Sequence, residues 1–373
     1  MTLFFLVEFV RSTGGMVQSV MQLINGLSVL PGFRVVLISP RGSEISTIKF
    51  NGDVENITTD SDDWALSRHS VLKAWTIALD ISRKTRKFRK ARYYYICNGV
   101  GASILVSMMP LLHKREIYVN RGGRFDSKGF GERILKAKIR FGLISQIVAT
   151  SRKQVEIINQ VGQPLDRITL IHNGITPPKT KYEFHAISNT RLRISTIGYI
   201  SDLKNQIEGV RLIKQLQNCS VDAWLNVYGA VGSEADKEYK RVLDSEIAAL
   251  GVSDRVIFKG FVRGEDLFAE TDILISFSKA EGFGRTIVEG MMRKIPVIAF
   301  RGAGGPVDIT DDGKYGYLVD VNQASDYCDL IMGLLNNPEK CQENVEEAYA
   351  YANSHFSESR MVGDYVAFFN TLP

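Results

Sequence analysis

The stretch T-D-I-L-I-S-F-S-K-A-E-G-F-G-R-T-I-V-E-G-M-M-R-K-I-P-V-I-A-F, residues 271–300, decides how the chain reads. Its first seven residues are a short apolar run of the kind that forms a buried strand, and residues 295–300 read as the next strand. Between them a Gly-Phe-Gly turn, Gly282 to Gly284, leads into an apolar helix start. Two glutamates, Glu281 and Glu289, stand eight positions apart across that turn. Both carboxylates therefore sit where a strand ends and a helix begins, which is the ligand crevice of an open α/β sheet. Gly282 and Gly284 let backbone approach a ligand closely, and the helix after Gly284 turns its positive dipole end toward it. A carboxylate inside that helix can accept two hydrogen bonds from a ribose diol. The same spacing is also met in a plain strand–loop–helix with two solvated acids.

A length of 373 residues fits two domains better than one. The 45% hydrophobic content and mean hydropathy of -0.05 describe an ordinary globular chain. No run approaches the roughly 20 apolar residues that span a bilayer. The apolar start, residues 1–11, lacks a basic leader and is interrupted by Glu8, so it reads as a first buried strand and not as a secretion signal. The four cysteines, Cys97, Cys219, Cys328 and Cys341, form no C-x-x-C pattern. They read as reduced thiols of a cytosolic protein. His69, His113, His172, His185 and His355 have no metal-ligand spacing and read as structural or solvated.

The net charge of +5 hides an asymmetry. Residues 1–178 hold 25 Lys and Arg against 13 Asp and Glu, or +12, and the remainder holds 21 against 28, or −7. The excess concentrates in residues 83–92 and 133–140. Such runs are either solvated helix faces or a surface for anionic lipid. No zinc-finger spacing, RNP signature or KH loop accompanies them, so no nucleic-acid partner is expected.

Apolar runs of strand length alternate with helical patterns along most of the chain. Strands are expected over 3–10, 33–39, 92–97, 116–120, 146–150 and 167–172, with helices over 15–30, 70–90, 103–112, 132–144 and 153–161. Residues 177–192, after adjacent prolines and with little periodicity, read as a linker. The rhythm restarts with strands over 193–198, 222–228, 255–260, 273–277 and 296–299. The expected architecture is α/β, with two doubly wound, Rossmann-like domains, 1–176 and 193–354, flanking an interdomain cleft. An amphipathic helix over 355–372 is expected to fold back on the first domain.

Further pieces fall at strand ends. Gly198-Tyr-Ile-Ser-Asp-Leu-Lys-Asn205 follows a strand and precedes a helix, where Lys204 can reach a diphosphate. Val227-Tyr-Gly229 closes a strand on a glycine. Phe258-Lys-Gly-Phe-Val262 offers open backbone and a flat wall, with Phe261, for a base. Arg301-Gly-Ala-Gly-Gly-Pro-Val-Asp308 is a glycine-rich loop after the next strand. Together with Gly14-Gly15 after the first strand, residues 148–151, residues 168–174 and Gly316-Tyr-Leu-Val-Asp320, these pieces resemble retaining glycosyltransferases of family four. That family has the GT-B fold and an E-x7-E motif, which Glu281 to Glu289 matches. Bacterial surface-polysaccharide enzymes are among its similar members.

The resemblance implies roles for these residues. Lys204 would neutralise the leaving diphosphate. Glu289 would hold the ribose hydroxyls. Glu281 would face the donor sugar, and backbone of Phe283, Gly284, Arg285 and Thr286 would bind its hydroxyls and phosphate. Gly14 and Gly15 would let the first domain approach the diphosphate. It further implies no metal cofactor, a UDP-sugar donor and a saccharide or lipid-linked saccharide acceptor; the basic charge of the first domain adds the expectation of a cytoplasmic enzyme peripheral to the inner membrane face. Asp60-Ser-Asp-Asp63 reads as a polar loop and not a metal motif. The chain departs from the family pattern at Tyr199, where relatives place an arginine, leaving Lys204 alone or helped by Arg285 or Arg301. It departs again at Val119-Asn-Arg-Gly-Gly-Arg124, where relatives often carry a histidine; here Arg121 would touch donor or acceptor. The alternatives are a sugar-nucleotide epimerase of the same fold and a catalytically silent binding module.

Overall fold

The computed structural model describes residues 1–8, 14–62, 64, 71–89, 92–109, 115–122, 129–262 and 264–373. In its first part run β1 (Thr2–Val7), α1 (Gly15–Ser28), β2 (Arg34–Ser39), β3 (Val54–Thr58), α2 (Val71–Thr85), β4 (Tyr93–Asn98), α3 (Val100–Met108), β5 (Glu116–Asn120), α4 (Phe130–Arg140), β6 (Gln146–Ala149), α5 (Arg152–Val161) and β7 (Ile168–Leu170). The strands form one parallel sheet in the order β3-β2-β1-β4-β5-β6-β7. After Thr2 the β1 run is apolar because both faces of the sheet are covered by helices. Phe4 and Leu6 enter one core, while Leu3, Phe5 and Val7 enter the other. Each such burial is worth about 1.5–3 kcal/mol.

A fully buried ion pair locks this sheet to two of its helices. Lys138 of α4 donates to both carboxylate oxygens of Glu116 in β5, at 2.9 and 2.8 Å, and to the Ser103 carbonyl of α3 at 2.7 Å. Burial still raises the Glu116 pKa above the usual carboxylate range, against the pull of Lys138. A buried pair of this kind holds geometry more surely than it adds stability.

The second part comprises β8 (Leu192–Ile197), α6 (Gln206–Asn218), β9 (Ala223–Tyr228), α7 (Glu234–Leu250), β10 (Val256–Gly260), β11 (Ile273–Ser276), α8 (Arg285–Met291), β12 (Val297–Phe300), α9 (Gly305–Ile309), β13 (Tyr317–Val319), α10 (Ala324–Asn336) and α11 (Pro338–His355). Its strands form a second parallel sheet, β10-β9-β8-β11-β12-β13. The last helix, α12 (Glu358–Thr371), packs on α1, with Met361, Tyr365, Phe368 and Leu372 in the core shared with Val20 and Leu23.

The chain divides into unit 1, Met1–Gly174 with Glu358–Pro373, and unit 2, Ile175–Ser357. The segment expected as a linker, 177–192, lies inside unit 2. Ile187 is buried in that unit's core and Phe184 packs against it, apolar anchors too sparse to show periodicity. Two edge strands escaped the sequence reading. β3 is half polar along its length and β13 has three residues, so neither makes a recognisable apolar run. Parts of the expected strand 3–10 and of helices 70–90 and 103–112 lie outside the described residues, as do His69, His113 and Asp63. Asp60 and Asp62 pair with Lys84 and Arg41.

Candidate functional site

In the second sheet the winding reverses between β8 and β11, and at such a switch point the loops leaving neighbouring strands part and open a crevice. The loop after β8 carries Lys204 and the loop after β11 carries Glu281. The Lys279 N–H donates to the Leu203 carbonyl at 2.9 Å, and the Lys279 side chain pairs with Asp202 at 2.6 Å, so the two loops run side by side. Across them the Lys204 ammonium donates to Glu281. Their side chains are only 25% and 14% exposed, so this is a largely desolvated pair and not a surface contact. Asn205, in the left-handed region at φ 54°, turns the chain from Lys204 into α6.

Glu281 is held from its other side as well. Its N–H donates to the Ala303 carbonyl at 2.8 Å and its carbonyl accepts from the Gly305 N–H at 3.3 Å. A Cβ on Gly305 would stand 2.1 Å from the Phe283 carbonyl oxygen, so the 301–305 loop meets the 281–284 turn backbone to backbone. Phe283 itself turns inward against Phe356, ring centroids 5.6 Å apart. Gly284, at φ 106°, starts α8 with Arg285 and Thr286, and that helix has only seven residues. Gly282 lies buried in the same turn.

Glu289 lies one helical turn beyond Arg285, whose Nη2 approaches its Oε1 at 3.4 Å, and Arg293 donates to the Glu289 carbonyl at 3.0 Å. Burial pushes the Glu289 carboxyl pKa up, and Arg285 and Arg293 pull it down without cancelling the rise. An acid with a raised folded pKa favours the fold when protonated and loses that contribution as pH climbs through the folded value. A ligand that donates to the carboxylate would offset this cost. Arg301 is engaged by Asp320 at 2.7 Å and by Asp312, so two carboxylates already hold it. Tyr199 and Phe261 are both about half exposed, at the ends of β8 and β10.

Unit 1 has its own switch point, between β1 and β4. Gly14, at φ 116°, starts α1, and the Ser19 hydroxyl donates to the Gly15 carbonyl at 3.0 Å. Glu8, just past β1, accepts from the Ala102 N–H at 3.1 Å, and burial raises its pKa. Arg121 follows β5 and is 9% exposed. Its Nε donates to Asn98 at 3.4 Å, Nη1 to Asn173, and Nη2 to the Tyr365 hydroxyl at 3.5 Å. Among the described residues no carboxylate pairs with it, and burial lowers its pKa. A buried guanidinium held by neutral oxygens keeps a full charge and spare donors for an anion. The remainder of its expected loop, residues 123–124, lies outside the described residues. Glu8, Asn98, Asn173 and Tyr365 were not singled out from sequence. Glu8 carried a signal as a charge at the end of an apolar strand, and Asn173 lay within the 168–174 piece; Tyr365 lies 244 residues from Arg121.

With this geometry in hand, residues 179–351 match the family described as "Glycosyl transferases group 1". The chain is 28% identical over 279 residues to a poly(ribitol-phosphate) alpha-N-acetylglucosaminyltransferase of Staphylococcus aureus, covering 68% of this chain and 52% of that protein. It is 24% identical over 240 residues to an N-acetyl-alpha-D-glucosaminyl L-malate synthase of Bacillus anthracis, covering 61% of this chain and 60% of that protein. These alignments thus span about half of the curated relatives' lengths. Among solved structures, Anabaena Alr3699/HepE in complex with UDP and glucose superposes with TM-score 0.79 at 18% identity, over 99% of each chain. The part of the chain that resembles glycosyltransferase group 1 domains is therefore unit 2, within a chain that has the two Rossmann-like sheets of the GT-B fold.

Proposed function

We propose that the protein is a retaining hexosyltransferase. It moves a sugar from a nucleotide-diphosphate donor, with UDP as the nucleotide, to a growing glycan or lipid-linked saccharide of a bacterial surface polysaccharide such as O-antigen or capsule. The observation that carries this reading is the Lys204–Glu281 pair at the switch point of unit 2, beside the backbone-packed glycine loops. The Staphylococcus aureus relative is named for transfer to poly(ribitol phosphate) and the HepE structure holds UDP and glucose, which supports the acceptor and donor classes.

In the proposed reaction the donor diphosphate takes Lys204 from Glu281, and Glu281 turns to the sugar. Glu289 accepts the ribose hydroxyls. The acceptor oxygen attacks the face that the nucleotide leaves, and a phosphate oxygen takes its proton. The bond from the anomeric carbon to phosphate breaks as the new glycosidic bond forms, and configuration is kept. Lys204 stabilises the charge developing on the leaving group, so positioning and electrostatics supply the rate. Arg121 in unit 1 supplies a further contact to donor or acceptor. Lysine takes the role that a divalent ion plays in other transferases, so turnover is expected to persist in excess chelator. The enzyme works at the inner face of the cytoplasmic membrane, where the basic half of the chain meets anionic lipid.

The first test is a thermal-shift panel of UDP, GDP and ADP on wild type and Glu289→Ala. One nucleotide is expected to raise the melting point, by about 2.7 kcal/mol of stabilisation at a hundredfold excess over Kd. Glu289→Ala should erase that rise. If no nucleotide shifts the wild type, the donor site is silent and the reading fails. A pH series refines the assignment. UDP affinity should weaken as pH falls through the raised Glu289 pKa, because the acceptor carboxylate is then protonated. A Glu289→Gln variant should bind weakly with no such dependence; an unchanged slope would assign the titration to another group.

A further inference from the structure

Helix α2 is apolar on two sides. Ala74, Ile77, Ala78 and Ile81 face the core of unit 1. Leu72, Trp75 and Leu79 lie on the opposite side and are 77%, 52% and 38% exposed. At 100° per residue these three fall within about 60° of one another around the helix, and Arg83 continues the same line. The row runs directly into Arg83, Arg86 and Lys87, all exposed. Beside it Arg83, Lys84, Arg86, Lys87, Arg89 and Tyr93 line one open concavity. Asp60, Asp80 and Glu55 offset part of this charge and leave the patch basic.

Three large apolar side chains in a solvent-facing row are unusual on a soluble surface and mark a binding face. Apolar residues including tryptophan, beside a cluster of Lys and Arg, suit the boundary of an anionic bilayer: the rings and leucines enter the acyl edge and the cations remain with the head groups. No described helix is long and apolar enough to cross a membrane. A second copy of the chain docking through the same face would bring two basic turns into one interface, so charge favours anionic lipid over self-association. We propose that α2 is an interfacial anchor that inserts Leu72, Trp75 and Leu79 into the leaflet and seats Arg83, Arg86 and Lys87 on anionic head groups. The inference rests on the membrane-facing part of the function above and not on the reaction chemistry.

The test uses the full chain with vesicles of neutral phosphatidylcholine alone or mixed with anionic phosphatidylglycerol, and with brominated lipid as a tryptophan quencher. Wild type should sediment with anionic vesicles only and be quenched by brominated lipid. Trp75→Phe should lose the quenching, because Trp64 is buried and Trp224 lies under Arg255 in unit 2. Leu72→Ser with Leu79→Ser, both exposed and so tolerable to the fold, should bind at least about tenfold more weakly. Arg86→Glu with Lys87→Glu should do the same. Thermal melts with and without UDP on each variant keep loss of fold and loss of donor binding separate from loss of docking. Equal quenching in wild type and Trp75→Phe overturns the inserted row. So does a wild-type dimer, without vesicle binding, that the Leu72→Ser and Leu79→Ser changes dissociate; the occupant is then a second copy.

Discussion

Replacing Lys204 by alanine is expected to cut turnover by about 10²- to 10³-fold, the usual loss on removing one group that stabilises a developing anion. The ammonium is the cation that the loop after β8 brings to the switch point. Arg301 is held by two aspartates and Arg285 by Glu289, so neither is set up to replace it. The same change strands Glu281, a mostly buried carboxylate, and this costs stability by itself. The double variant Lys204→Ala with Glu281→Gln separates the two effects. Removing the orphaned charge should return much of the melting temperature without returning turnover. If the double variant recovered turnover, Lys204 would serve only to neutralise Glu281, and its proposed role toward the diphosphate would be wrong.

The second large effect is expected at Gly229. Its φ of 151° lies in the region that side chains avoid, and a Cβ there would stand 1.9 Å from the Gly198 carbonyl oxygen. The obstacle is backbone on both sides, because the Gly198 N–H donates to the Tyr228 carbonyl and the Gly229 N–H to the Gly260 carbonyl. Nothing flexible can move aside. Strain and overpacking together put the cost of Gly229→Ala at about 4 kcal/mol. In a unit of this size that is a fall of about 10 °C in melting temperature. The ends of β8 and β9 would also be pushed apart where the Lys204 loop begins, so donor binding should fall further than stability alone requires. A melt of the free variant together with a UDP titration below its transition reads both. A near-wild-type melting temperature would mean that the strands relax at little cost.

Residues 271–300 were informative because a strand buried on both faces is written as an unbroken apolar run, and a glycine turn between two such elements leaves few other folds. Glu116–Asn120 also appeared at its observed bounds, its Ile117–Val119 centre being the apolar part of a strand buried along its whole length. β3, with no fully buried residue, and β13, only three residues long, left no comparable mark. The 177–192 segment read as a linker because Ile187 and Phe184 are isolated apolar residues. Their burial depends on a core assembled from residues far along the chain.

Local sequence was enough for the class of the fold, two parallel sheets wound with helices, for the strand ends that carry Lys204, Glu281 and Arg121, and for the helix start that carries Glu289. Hydrophobic run length and glycine placement are local quantities, and they suffice for that. How those residues are engaged follows instead from packing between distant elements. It alone pairs Lys204 with Glu281 across 77 positions and encloses Arg121 in neutral oxygens from Asn98, Asn173 and Tyr365. It alone turns Leu72, Trp75 and Leu79 away from the core. The physical reason is the same in each case: a side chain's partner and exposure depend on which distant strands and helices pack beside it, and a parallel sheet puts neighbours side by side that are remote along the chain.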